Sequence, residues 1–161
     1  MGEPRRLTSA DVPRLRAFWG ARWGGDFVAA HGTLFHPEQV EGWVLEQAGQ
    51  WVGLITFVIT GGECEVVSLD SLAEDKGVGS MLLEAVLDEA RARGVRRAIV
   101  TTTNDNLRAL RFYQKRGFTL RALRAGALER TRELKPSISA LGQNGIPLRD
   151  ELELVLDDMG S

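Results

Sequence analysis

The sequence predicts an α/β (α+β) fold, a mixed and mostly antiparallel central sheet flanked by helices. Three observations carry this expectation. Three β-rich runs, at 43–46, 51–59 and 63–69, follow one another across short turn-like breaks; 78–92 carries a helical apolar stripe; and a fourth β-rich run then precedes a further helical one. The chain has 161 residues, the usual size of one domain, with a core expected over about 3–156.

Taken in order, Thr8 and Asp11 have the spacing of a capping box, and Leu15, Phe18 and Trp19 recur behind them at helical intervals. A short strand near 3–7 and a helix to about Gly20 are expected. Residues 22–39 hold aromatics, glycines, both histidines and Pro37 without a sustained period. They read as mostly loop, with room for one short helix, facing the substrate. Ala48-Gly49-Gln50 and Gly61-Gly62 then separate three strands of an antiparallel meander. Val78, Met81, Leu82, Ala85, Val86 and Ala90 fall on one stripe, and Gly94 stands where a helix C-cap belongs. Residues 97–103 form a β-rich run and 107–115 a helical one, a parallel βαβ unit. Two last strands are expected at 118–123 and 150–156, across a polar segment with Pro136, Gly142, Gly145 and Pro147.

Hydrophobic residues make up 43% and charged residues 26%, a composition that folds rather than staying disordered. A net charge of −2 supplies no general attraction for phosphate backbones, which argues against nucleic-acid binding. Cys64 is the sole cysteine, so an internal disulfide and a cysteine-rich metal site are excluded and a reducing compartment is expected. His31 and His36 lack companion ligands at metal spacing, so no metal is expected. No apolar run approaches membrane-spanning length and none follows Met1–Arg6 as a leader would, which points to a cytoplasmic protein away from membranes.

Chemistry concentrates in Lys76-Gly77-Val78-Gly79-Ser80, between a strand and the strongest helix. Unpaired N–H groups and the positive helix end converge there, a geometry that binds phosphate or pyrophosphate. A phosphate-binding Walker loop needs a Gly-Lys-Ser/Thr triplet, and none is present. Leu82 stands where the dinucleotide fingerprint needs its third glycine, and Arg96 and Arg97 stand near the place of its ribose-binding acid. A tight strand-to-helix turn without a ligand is the plainer reading of the glycines alone.

Asn106-Leu107-Arg108-Ala109-Leu110-Arg111-Phe112-Tyr113-Gln114-Lys115-Arg116-Gly117-Phe118 resembles the N-x-x-A-x-x-F-Y-x-x-x-G-F segment of the GNAT superfamily of N-acetyltransferases. The glycine turn resembles that family's Q/R-x-x-G-x-G/A acyl-CoA loop, with Glu74 and Asp75 where the family usually has Arg or Gln and glycine. The resemblance implies acetyl-CoA as acyl donor, its pyrophosphate on residues 76–80. It further implies that backbone groups near Val67 and Leu69 pair with the pantetheine arm, flanked by Asn106, Ala109, Phe112 and Tyr113. The expected reaction is direct attack of an amine on the thioester, without a covalent enzyme intermediate, since Cys64 alone lacks a motif for a nucleophile.

A lysine-like amine, with a pKa of about 10.4, is neutral in only a few molecules in ten thousand at pH 7, so its deprotonation needs help. Glu63 and Glu65 lie on the central strand before its cofactor-facing end and share a face if no bulge intervenes; either is a candidate base, or part of a solvated strand face. Asp70, nearer the loop on the opposite parity, is a weaker candidate whose face a bulge would change. Tyr113, the only tyrosine, suits the acid that protonates the departing thiolate, or reads as a core residue with a satisfied hydroxyl on an apolar helix face. The resemblance also implies that Arg22, Trp23 and Trp43 line the acceptor side, the alternative being an aromatic minicore with a surface arginine, and His31 is a structural or substrate-contact candidate. Arg124 and Arg130, in a basic run with Arg132 and Lys135, suggest an acceptor bearing a carboxylate or phosphate, or a solvated helix face. The acceptor itself, small molecule or peptide, and the oligomeric state, a dimer included, stay open. A non-catalytic acyl-CoA-binding or regulatory module is the competing reading.

Overall fold

The backbone N–H of Thr8 donates to Asp11 Oδ2 at 2.8 Å, and a 3-10 turn at Ser9–Asp11 runs directly into the first long helix, α1 (Val12–Trp23). The molecule is a computed structural model that describes residues 2–72, 77–157 and 159. Helix α1 runs past Gly20 and stops at Gly24, whose φ of 74° is the left-handed C-cap that glycine adopts without strain.

Residues 22–39, expected as mostly loop, contain a two-stranded hairpin, β2 (Val28–Ala30) and β3 (Thr33–Phe35), in addition to a 3-10 turn at Pro37–Gln39. Strands of three residues are too short to display alternation, which is why the segment has no readable period. At the hairpin tip His31 and Gly32 have φ of 43° and 79°, both positive as a type I′ turn requires.

The main sheet contains β1 (Arg5–Arg6), β4 (Glu41–Gln47), β5 (Gln50–Thr60), β6 (Glu63–Ser71), β7 (Arg97–Thr103), β8 (Thr119–Arg124) and β9 (Glu151–Leu156). Its spatial order is β1-β4-β5-β6-β7-β9-β8, with β6 and β7 parallel and the remaining neighbours antiparallel. Helix α2 (Val78–Ala92) connects the parallel pair, and α3 (Leu107–Lys115) leads from β7 to the edge strand β8. The polar segment before β9 holds a further helix, α4 (Ala127–Leu134), which buries Ala127, Leu128 and Thr131 beneath charged residues.

Two irregularities shape the centre. The parallel ladder runs only from Glu63↔Arg97 to Val66↔Val100, so residues 67–71 of β6 and 101–103 of β7 diverge. At that level β5 residues Thr56 and Phe57 face Ser68 and Val66, which leaves Val67 as a bulge without a partner.

The sheet separates two cores. On one face Val66, Ile55, Phe57 and Cys64 pack with α2 and with Tyr113 and Phe118; on the other Val67, Leu54 and Val44 pack with Leu15 and Trp19 of α1 and with the β2–β3 hairpin.

Candidate active site

The opening between β6 and β7 is bounded on one side by the start of α2. Gly77 caps that helix with φ 73° and no side-chain hydrogen bond, so the N–H groups of its first turn are left without a side-chain cap among the described residues. Gly79 has a different duty: a Cβ there would lie 3.1 Å from Cε1 of Phe112, so glycine lets α3 close against α2. Of the expected cofactor residues, Lys76, with Glu74 and Asp75, falls outside the described residues. Val78 is buried and Leu69 half-buried in the α2-side core, where Ala109 and Phe112 also pack. Asn106 caps α3, its Oδ1 accepting from the Ala109 N–H at 3.0 Å.

Arg116, not singled out from sequence, joins this group. Its guanidinium carbon lies 3.8 Å from the Phe112 ring centroid, Nε donates to Ser80 Oγ at 3.1 Å, and Nη2 bonds the same hydroxyl. A cation is thereby held beside the first turn of α2. The available signal was the four-residue spacing of Phe112 and Arg116, which puts both on one helix face.

On the α1 face the bulge at Val67 changes parity along β6. Cys64 and Val66 before it belong to the α2-side core, whereas Ser68 after it accepts from Trp19 Nε1 at 3.2 Å. Glu65 and Asp70, of opposite parity in sequence, therefore meet partners on the same side. Asp70 accepts from Arg22 Nε and from Trp23 Nε1, each at 3.1 Å.

Glu65 Oε2 lies 2.6 Å from His31 Nε2. The carboxylate accepts here, so the imidazole donates through Nε2, while the Thr33 hydroxyl lies 3.4 Å from Nδ1. The Glu65 carboxylate pushes the His31 pKa above its ordinary value, against the opposing effects of burial and of Arg124. The His31 N–H donates to Glu151 Oε2 at 3.1 Å. Arg124 ties this cluster to the last strands with all three nitrogens, to Glu151 (3.1 Å), Glu153 (3.1 Å) and Thr101 (3.0 Å).

Glu63 is not part of this group. It sits at the far end of β6 by a recess of about 570 Å³ lined by Gly61, Gly62, Arg96, Arg97 and Asp157, and pairs with Arg97 at 3.4 Å. Trp43 lies on the α2 face, where its indole N–H donates to Glu89 at 3.0 Å, across the sheet from Arg22 and Trp23. Arg130 is exposed on α4.

Tyr113 is 4% exposed in the α2-side core, edge-on to Phe112 and Phe118 at 5.1 and 5.2 Å. Burial pushes its phenol pKa up, and the negative charge of Asp70 adds to the rise. Cys64 is fully buried, and desolvation pushes its thiol up to about 12; it is a protonated core residue, unsuited to covalent catalysis. Among the described residues no group of three His, Cys, Asp or Glu could hold a metal ion, and no helix is long and apolar enough to cross a membrane.

A mixed α/β fold with a mostly antiparallel central sheet flanked by helices matches the architecture of GNAT acetyltransferases. Residues 7–118 match the Acetyltransferase (GNAT) family, and the chain belongs to it. It is 40% identical over 152 residues to the uncharacterized protein YxbD of Bacillus subtilis strain 168, covering 92% of this chain and 96% of that one. Among solved structures it resembles an IAA acetyltransferase from Bacillus cereus ATCC 14579, with TM-score 0.75, 21% identity and coverage of 96% of this chain and 97% of the other. A Bacillus subtilis acetyltransferase in complex with CoA overlays with TM-score 0.68 at 19% identity, covering 96% and 97% of the two chains.

Proposed function

We propose that the protein, acting as one domain, transfers the acetyl group of acetyl-CoA to an amine, without an acyl-enzyme intermediate. The observation that carries this reading is the divergence of β6 and β7 beyond Val66 and Val100, with the start of α2, which has no side-chain cap among the described residues, at its rim. The diverging strand edges offer backbone groups to an amide-bearing arm, the first-turn N–H groups of α2 suit a pyrophosphate, and Arg116 adds a cation beside them. A similar structure holding CoA supports the same choice of donor.

Acetyl-CoA supplies a thioester whose carbonyl carbon the neutral amine attacks, the C–N bond forming and the C–S bond breaking as thiolate leaves. The proton given up by the nitrogen passes to the His31–Glu65 pair, directly or through water; the 2.6 Å contact keeps the two groups acting together. Tyr113, a phenol protonated at neutral pH even at its ordinary pKa of about 10, donates a hydrogen bond toward the departing sulfur. A phenol so weakly acidic stabilises the thiolate by that bond more than by surrendering its proton. Most of the rate then comes from holding amine and thioester in line.

The test is thiol release from acetyl-CoA across a broad amine library. Release with at least one amine supports acyl transfer. A thermal shift with acetyl-CoA, and no release with any amine, would instead identify an acyl-CoA-binding module.

A further inference from the structure

The acceptor site holds several cations, and their commitments differ. All three Arg124 nitrogens are engaged by Glu151, Glu153 and Thr101. Lys135 is buried, and its Nζ donates to the Phe27 carbonyl at 2.8 Å. Arg22 is different. Its side chain is 40% exposed; Nε alone is used, at 3.1 Å from Asp70 Oδ1; and Nη1 and Nη2 have no hydrogen-bond or ion-pair partner among the described residues.

The anchor beneath Arg22 is fixed. Asp70 has 8% of its side chain exposed, and its second oxygen accepts from Trp23 at 3.1 Å, so both oxygens are occupied and the guanidinium is held by its Nε. Asp70 lies in the stretch of β6 that has parted from β7. The turn after α1 closes the same rim from the other side: a Cβ on Gly25 would lie 3.0 Å from Lys135 Cε, and one on Gly24 would lie 3.7 Å from Ser137 Oγ. A planar donor pair is thus fixed at the edge of the cleft where α1, β6 and the segment after α4 meet.

We propose that Arg22 binds a carboxylate on the acceptor, so that the protein acetylates amines that also carry a carboxyl group. This rests on the acetyltransferase reading above and names its substrate class. Two parallel N–H donors match the two oxygens of a carboxylate. A dianionic phosphate calls for a second free cation, and Lys135, which approaches Gly25 at this rim, is already bonded to the Phe27 carbonyl. Asp70 is a positioning residue here: it orients Arg22 and leaves the anion contact to it.

Matched pairs of acceptors test the proposal in the thiol-release assay: phenylalanine against phenethylamine, leucine against isoamylamine, and each amino acid against its amide. The wild-type protein is expected to favour the carboxylate partner about 10- to 100-fold in kcat/KM, the span of one charge-assisted contact. Arg22→Gln brings that ratio near one by raising KM for the acid, with the amines changed by less than about 3-fold, and Arg22→Lys, which lacks the fork, retains part of the preference. Asp70→Asn raises KM for the acid more than it lowers kcat. Wild-type turnover of amines and their carboxylate counterparts at equal efficiency overturns this acceptor class and leaves acyl transfer standing, a result independent of whether any variant folds. Equal losses on both partners in Arg22→Gln also overturn it. Absence of thiol release with every amine would remove the acetyltransferase reading itself.

Discussion

Glu65 and Asp70, five positions apart on one strand, bond to partners on the same face of the sheet: Glu65 to His31 and Asp70 to Arg22. Regular alternation would put them on opposite faces, and the unpaired Val67 between them reverses the parity. Both acids consequently lie on the α1 side of the sheet.

The role proposed for the His31–Glu65 pair predicts a pH dependence of definite direction. His31 holds its proton above the ordinary histidine range because Glu65 accepts its hydrogen bond. It must lose that proton before taking another, so kcat/KM should rise with pH, with a midpoint above about 6.5. In His31→Gln the limb should disappear and the rate fall by about 10- to 100-fold. A pH–rate profile of the two proteins decides the matter; an unchanged limb in the variant rules out His31 as its source.

The same shift has a stability consequence of opposite sign. A group whose pKa is raised by folding stabilises the fold most fully below its unfolded pKa, here about 6.5, and that contribution fades as pH rises through the folded value. The destabilisation caused by His31→Gln should accordingly be larger at acid pH than at alkaline pH, as urea denaturation at the two extremes would measure.

Tyr113→Phe should reduce kcat by about 10- to 100-fold and alter acetyl-CoA affinity by less than about 3-fold, because the hydroxyl is assigned to the leaving thiolate. Steady-state kinetics with a CoA titration separates the two effects. Equal kcat in both proteins would exclude the role.

Arg116→Ala should raise KM for acetyl-CoA by about 10-fold with kcat largely kept, since it removes a cation beside the α2 first turn and leaves the reacting end untouched. Salt should weaken wild-type binding more than variant binding. Acetyl-CoA titrations at two ionic strengths provide the check.

Trp19→Phe tests the α1-side core. It preserves most of the apolar volume and deletes the N–H that bonds Ser68, whose hydroxyl is buried 2.6 Å from that of Thr56. The cost should be about 1–2 kcal/mol, lowering Tm by roughly 2–8 °C for a chain of this size, as a thermal melt would record.

Helix α2 and the meander were legible because each carries its own period: a stripe with Gly94 behind it, and β-rich runs parted by glycine turns. The hairpin β2–β3 and helix α4 were not. Three-residue strands carry no period, and α4 shows only three buried residues in a charged surround, so tertiary contacts stabilise both. Among site residues, the Asn106 cap and the Gly77 turn have local signatures. Trp43 illustrates the limit: its aromatic character said nothing of which face it would take, and its register opposite Ile55 put it on the α2 side.

The order of the main-sheet strands and of α1, α2 and α3, the glycine turn before α2 and the identity of the chemical groups follow from the sequence alone, because they depend on periodicity, backbone freedom and side-chain type. What only the tertiary structure decided is which groups meet. The bulge at Val67 brought Asp70 to the side of Glu65, the type I′ tip of the hairpin delivered His31 to Glu65, and the approach of Phe112 on α3 to Gly79 at the start of α2 set Arg116 on Ser80. Each depends on contacts between segments far apart in the chain, where neither local propensity nor spacing carries information.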